Sequence, residues 1–313
     1  MSRAQADTDY EGERSPANNV LAGAVDIHVH AAPDVFPRKW DDLTLSRLAR
    51  QAGYRGLLLK CHYFPTMGRA FHVRRCFPDF AFYGGLVLNA TVGGLNPTAV
   101  EAALSLGAKE IWFPTLSAAN HRRCHKLGAS GLSVLDPRGR LRPAVNAILK
   151  AVARADVILG TGHLSQDEIR ALVERALDVG VHKVLVTHPE WPPTHMTLES
   201  QARLAETGCV YFERCLVVTM PGAGGISFQD IATAIRTVGW QSTVLATDLG
   251  QLANPCPIEG MRMYLTRLKE HGFTSAQLRR MVSTNPARLL GLDAGATPEG
   301  ERIEAGPAHV EEE

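Results

Sequence analysis

Eight short apolar runs, each followed by a stretch of helical character, constrain the fold of this chain more than any other feature. They cover residues 24–29, 56–60, 81–88, 110–113, 156–160, 183–187, 209–213 and 243–247. The runs are continuously apolar rather than alternating, the pattern of parallel strands buried on both faces. The stretches between them carry helix signals. Ser165-Gln-Asp-Glu168 fits a capping box ahead of Ile169, Leu172, Val173 and Leu177, with Gly180 as the stop. Ser227 opens another helix with Ile231, Ala234, Ile235 and Val238 on one face, and Thr98 opens a third that Gly107 closes. Strand and helix repeated eight times, with right-handed crossovers, predict a (β/α)8 TIM-like barrel. An open doubly wound sheet would carry a glycine-rich turn after its first strand. Here that strand runs into His28-Val-His-Ala-Ala-Pro-Asp34 instead.

At 313 residues the chain has the length of one α/β barrel, and its 45% hydrophobic content can fill a large core. A net charge of +1 gives no support to a nucleic-acid or acidic-surface partner. The six cysteines include no C-x-x-C pair, so neither a zinc finger nor a disulfide framework is expected. The N-terminal stretch lacks the order of a signal peptide, and no stretch is apolar enough for a membrane span. A cytoplasmic protein acting on a small molecule is expected, with homo-oligomerisation left open. Three regions follow: a flexible segment over residues 1–19, the barrel over 20–292 without a sizeable flanking β-sandwich, and a flexible tail over 293–313.

The fourth connection, from Thr115 to about Pro143, is much longer than its neighbours. Loops of that length in a compact domain are usually functional, and this one belongs on the strand-end face. Asp136-Pro-Arg-Gly139 reads as a turn between two short strands. His121 and His125, four apart, would share one side of a helix as a metal pair. Their neighbours Arg122, Arg123 and Lys126 suggest instead a cationic loop facing substrate or solvent.

Polar residues gather at the ends of the runs: His28 and His30, Lys60 and His62, Asn89, Thr115, His163, His188, Glu213 and Asp248. Spacings between successive ends are 25–35 residues, apart from 48 across the long loop, as expected of one polar position per unit at a single barrel mouth. Alternation on a strand turns His28 and His30 to one side, with Val29 on the other. Those two imidazoles, a third from His163 and the carboxylate of Asp248 make an N3O set suited to Zn2+ or another divalent transition metal.

The chain resembles the amidohydrolase superfamily of metal-dependent barrel hydrolases. The resemblance rests on Val25-Asp-Ile-His-Val-His30, Gly162-His163, Thr187-His-Pro189, Thr247-Asp248 and Asn285-Pro-Ala-Arg-Leu-Leu-Gly291, and spans residues from about 20 to 292. It implies that His28, His30, His163 and Asp248 bind metal and that Asp248 also accepts a proton from the attacking water. It gives His188 either a second metal or a hydrogen bond to that water. Two departures stand out. The fourth strand, Ile111-Trp-Phe-Pro-Thr115, carries no ligand where many two-metal members have a carboxylated Lys or a Glu, which favours one ion over two. A flanking β-sandwich, common in relatives, is not expected here, with strand one near residue 24 and few residues after Leu292.

Lys60 has three readings: a carboxylated bridging ligand, an anchor for a substrate carboxylate, or an ion-pair partner of Glu213. Lys60, His62, Arg69 and Glu213 are the candidate substrate-binding residues. The expected reaction is hydrolysis of an amide or cyclic amide, with an ester or lactone as the variant, in a small anionic substrate; Asp248 and His188 are the catalytic pair. A metal-dependent decarboxylase of aromatic or unsaturated acids would use the same site. A metal-containing binding protein without turnover is the reading of a different class.

Overall fold

Parallel strands pair in the computed structural model in their order along the chain: β1 (Val25–Val29), β2 (Gly56–Leu59), β3 (Ala81–Val87), β4 (Glu110–Trp112), β5 (Ile158–Gly160), β6 (Val184–Thr187), β7 (Val210–Cys215) and β8 (Thr243–Ala246). The structure describes residues 21–128 and 130–292. The tails expected at residues 1–19 and 293–313 lie outside the described residues. The ends of β1 and β8 close the ring: Asp248 N–H donates to the His28 carbonyl at 2.7 Å and His30 N–H to the Leu249 carbonyl at 2.8 Å. Asp26 adds a side-chain clasp, accepting from Thr247 Oγ1 at 2.6 Å and from Thr247 N–H at 3.1 Å. Burial pushes its carboxyl up to about 7 against those donors.

The helices are α1 (Asp42–Gln51), α2 (Met67–Cys76), α3 (Pro97–Ser105), α4 (Ala119–Cys124), α5 (Pro143–Ala155), α6 (Gln166–Asp178), α7 (Leu198–Ala205), α8 (Phe228–Val238), α9 (Pro257–Glu270), α10 (Ser275–Arg279) and α11 (Asn285–Leu290). Their amphipathic spacing explains the outer shell. On α5, Val145, Ile148, Leu149 and Val152 are buried, and on α8 Ile231, Ala234, Ile235 and Val238 are buried, in each case one stripe facing the strands. The capping box at Ser165 forms as the sequence indicates, and a second forms at Ser227 with Asp230. The third helix start is corrected: Asn96, not Thr98, caps α3 by accepting from Ala99 N–H, and Pro97 takes the first helical position, where no N–H is needed. Residues 136–139 do form a turn, flanked by a single Leu135–Leu141 bridge rather than by two strands.

The barrel floor is apolar. Ala287, Leu289 and Leu290 of α11 pack with Val25, Ile158, Leu185 and Val244. Asn285 fixes that helix by donating to the Thr243 carbonyl at 2.7 Å. Above that floor, the strand ends and βα-loops meet at the mouth; one buried carboxylate, Glu110, stands lower, at the start of β4 and in register with Ile158. Among the described residues no helix is long and apolar enough to cross a membrane.

Candidate metal centre

A register shift in β1 sets the site. Asp26 pairs with Leu57, but Val29 pairs with Leu59, so Ile27 and His28 together stand against Leu58 alone. Such a bulge re-aims the side chains that follow it. Ile27 joins the inner apolar cluster with Leu58 and Trp112, Val29 joins the outer one with Leu57 and Leu59, and His28 and His30 both turn inward. Simple alternation would have placed Ile27 and His28 on opposite sides.

Three imidazoles meet one carboxylate at the barrel mouth. Asp248 Oδ1 lies 2.8 Å from His30 Nε2 and 3.0 Å from His28 Nε2, and its Oδ2 lies 3.2 Å from His188 Nε2. Burial opposes the charge on Asp248, but the imidazoles outweigh it and hold the carboxyl well below its usual range. His188 and Asp248 both adopt left-handed backbone, with φ of 50° and 51°. That conformation costs a non-glycine residue about 1–3 kcal/mol and is found where a side chain must be aimed. Gly162, at the end of β5, has φ of 61°, so three strand ends use the same turn.

Behind His28 stands a second layer. Its Nδ1 is 3.1 Å from Glu213 Oε2, and Cys215 Sγ is 3.6 Å from the same nitrogen. Glu213 is fully buried behind His28, and its described side-chain contact is with that ring. Lys60 Nζ approaches the other nitrogen, His28 Nε2, at 3.0 Å and lies 5.4 Å from the Trp112 ring centre. No ion pair joins Lys60 to Glu213; the two are linked through the His28 ring. Only 1% of Lys60 is exposed, so it belongs to the floor of the site.

The remaining candidates divide. His62 stacks on His30 with ring centres 5.1 Å apart and has Nδ1 2.9 Å from Thr115 Oγ1, so it lines the mouth. Arg69 does not reach the cluster: its guanidinium is spent on Asp42, at 2.7 and 2.8 Å, and on the Ala31 carbonyl, an anchor between α1 and α2. His163 lies beside the cluster, its ring centre 5.7 Å from that of His188, with Trp191 at 4.8 Å on another side. Burial lowers its pKa well below the usual histidine value. Sequence reasoning missed Cys215, although its place two residues after Glu213 on β7 was a usable signal. It also missed Arg38, whose Nη2 stands 3.3 Å from His30 Nδ1 while Asp34 holds the same guanidinium at 2.7 Å.

The donor set suits a divalent transition metal. His28, His188, Cys215 and Asp248 each offer one ligand atom, and these atoms all lie within 4.8 Å of one another. Nitrogen-to-oxygen separations near 3 Å are those of ligands that share one ion. The Glu213–His28 contact is the carboxylate–imidazole pairing that fixes a ligand tautomer. His188 Nδ1 is buried without a hydrogen-bond partner, so the ring is held through Nε2, on the Asp248 carboxylate.

Residues 23–213 match the model of a family of unknown function, DUF6282. The chain belongs to that family. The DUF6282 match runs from just before β1 to Glu213 and therefore includes His28, His30, Lys60, His163 and His188, while Asp248 lies beyond it. No curated protein matches the sequence. Solved structures of the amidohydrolase superfamily share the barrel. One is an amidohydrolase from Pseudomonas aeruginosa, with a TM-score of 0.61 at 13% identity over 88% of this chain and 98% of that one. Another is the metallopeptidase dipeptidase AC, with a TM-score of 0.57 at 12% identity over 88% of this chain and 100% of its own. A third is a 2,6-dihydroxybenzoate decarboxylase from Rhizobium, with a TM-score of 0.50 at 14% identity over 88% and 100%. At such identities the likeness is one of fold.

Proposed function

We propose that this DUF6282 chain is a metal-dependent hydrolase that uses activated water to cleave an amide or cyclic amide, or else an ester or lactone, in a small anionic substrate. The convergence of three imidazole Nε2 atoms on the Asp248 carboxylate carries this reading. His28, His30 and Asp248, which meet there, and His163, whose ring lies beside them, would hold one ion, with Zn2+ favoured by the donor types. Bound there, the ion supplies Lewis acidity, which brings the pKa of a water toward about 7 and polarises a carbonyl.

The protein's own groups do the rest. Asp248 takes the proton of the attacking water on Oδ2 and returns it to the leaving nitrogen or oxygen. His188, 3.2 Å from that Oδ2, orients the carboxylate and donates to the oxygen on which charge develops. Glu213 keeps the His28 proton on Nδ1 and so turns the lone pair of Nε2 toward the ion site. Lys60, on the floor, offers a cation to an acidic group of the substrate.

A decarboxylase of aromatic or unsaturated acids is the second reading. It is favoured by Thr115 at the end of β4, which is hydrogen-bonded to Asn89 and His62 and supplies no ligand, together with the buried ammonium of Lys60. A panel of amides, cyclic amides, lactones and aromatic acids, run in heavy-oxygen water, tests both. Incorporation of solvent oxygen into a carboxyl product supports hydrolysis. Carbon dioxide release without incorporation overturns it in favour of the second reading, and metal-loaded protein that turns over nothing in the panel counts against both.

A further inference from the structure

The long connection after β4 delivers two successive side chains to one residue. Asn120 Nδ2 donates to the His163 carbonyl at 3.2 Å and to the Pro193 carbonyl at 2.7 Å. His121, next in α4, brings its Nδ1 within 3.0 Å of His163 Nδ1 and stacks its ring on that of His163, with centres 4.9 Å apart at 28°. His121 is only 7% exposed although it lies in a loop segment, and Asn120 is 2% exposed. Arg123 in turn donates to Asn120 Oδ1 at 2.7 Å and fixes that amide. Both the backbone and the ring of His163 are therefore gripped from α4.

We infer that His121 is a positioning residue: it accepts the Nδ1 proton of His163 and so presents His163 Nε2 as the bare nitrogen of the metal centre. This rests on the metal reading above. Two nitrogens at 3.0 Å form a hydrogen bond only if one carries the proton and the other a lone pair. His163 Nδ1 is occupied on the α4 side, which leaves Nε2 for the mouth, the nitrogen that His28, His30 and His188 also turn toward Asp248. The proton on Nδ1 of His28 goes to Glu213; His121 does for His163 what Glu213 does for His28. The β4 position that lacks a ligand is thus followed by a helix that supports a ligand on the next strand. Outer partners of this kind typically change metal affinity about 10–100-fold when removed.

Co2+ titration of the full chain, followed by visible absorption and competition with a chelator, provides the test. His121→Phe keeps a ring on Trp191 and removes the acceptor; His121→Asn keeps an acceptor oxygen at the place of Nδ1. Expected are a loss of affinity of about 10–100-fold in His121→Phe with a changed Co2+ spectrum, and recovery of most of it in His121→Asn, at equal melting temperatures. His163→Ala sets the scale. If His163→Ala weakens Co2+ binding and His121→Phe does not, the positioning role is overturned while the metal reading stands. If His163→Ala has no effect, or the parent chain binds no Co2+, the ligand assignment of His163 falls and this inference with it. Should His121→Phe fold poorly, the nitrogen-15 spectrum of the parent chain decides: His163 protonated on Nδ1 supports the role, and the Nε2–H tautomer refutes it.

Discussion

Gly162→Ala should damage both stability and the site, and the structure allows the size of the effect to be worked out. Gly162 sits at the end of β5 with φ of 61°, immediately before His163. A Cβ there would overlap the Phe113 carbonyl oxygen and come within 2.6 Å of the Pro114 carbonyl oxygen, both backbone atoms of the neighbouring strand end. Left-handed backbone costs an L residue about 1–2 kcal/mol, and forced overpacking typically adds about 1–3 kcal/mol. The sum, about 2–5 kcal/mol, corresponds to a fall in melting temperature of roughly 4–20 °C at about 2–4 °C per kcal/mol. Gly180→Ala isolates the conformational part, because Gly180 has φ of 85° and nothing within 4 Å of its Cβ position. Thermal unfolding followed by circular dichroism compares the two variants. Gly162→Ala should melt clearly below Gly180→Ala and lose metal affinity, since relief of the overlap moves His163 and its bond to His121. Equal melting temperatures for the two variants would refute the close-approach reasoning.

Three further outcomes follow from the same geometry. Asp248→Asn should fold normally, because a residue at the barrel mouth adds little core packing, yet lose at least about 100-fold in turnover on any substrate found; a variant that retains a tenth of the parent rate counts against Asp248 as proton carrier. Glu213→Gln keeps volume but weakens the hold on His28 Nδ1, so chelator competition should show metal affinity reduced about 10–100-fold, and unchanged affinity would remove Glu213 from its orienting role. Glu190→Ala leaves the Arg214 guanidinium, fully buried and ion-paired to Glu190, with Gln201 alone at 3.1 Å. The cost of breaking such a pair is about 3–5 kcal/mol, and a melting temperature within about 2 °C of the parent would show that the pair contributes nothing.

The barrel was legible because its signal is repeated: continuously apolar runs bounded by caps leave few alternatives. The site was legible in part. His28, His30, His188 and Asp248 stand at strand ends and meet, since every strand end of a parallel barrel points to one mouth. What a sequence does not carry is which way a side chain leans once it arrives. Glu213 has the chemistry of a substrate contact, yet the structure places it fully buried behind His28. Arg69 and Arg38 both follow barrel strands, but Asp42 holds the first away from the cluster while two backbone bridges fold the loop after β1 so that the second reaches His30. The bulge at Ile27–His28 left no mark, because both residues are compatible with either face. His121 was visible only as half of a pair in a long loop; its ring does lie against that of His125, with centres 4.4 Å apart, but its ring nitrogen meets that of His163, 42 positions away.

The most direct test of the central claim is elemental analysis of the protein purified without chelators. About one divalent transition-metal ion per chain is expected, lost together with affinity in His28→Ala and Asp248→Ala variants that keep their circular dichroism spectra. A folded chain that carries no such ion, and takes up neither Zn2+ nor Co2+ when supplied, would contradict it.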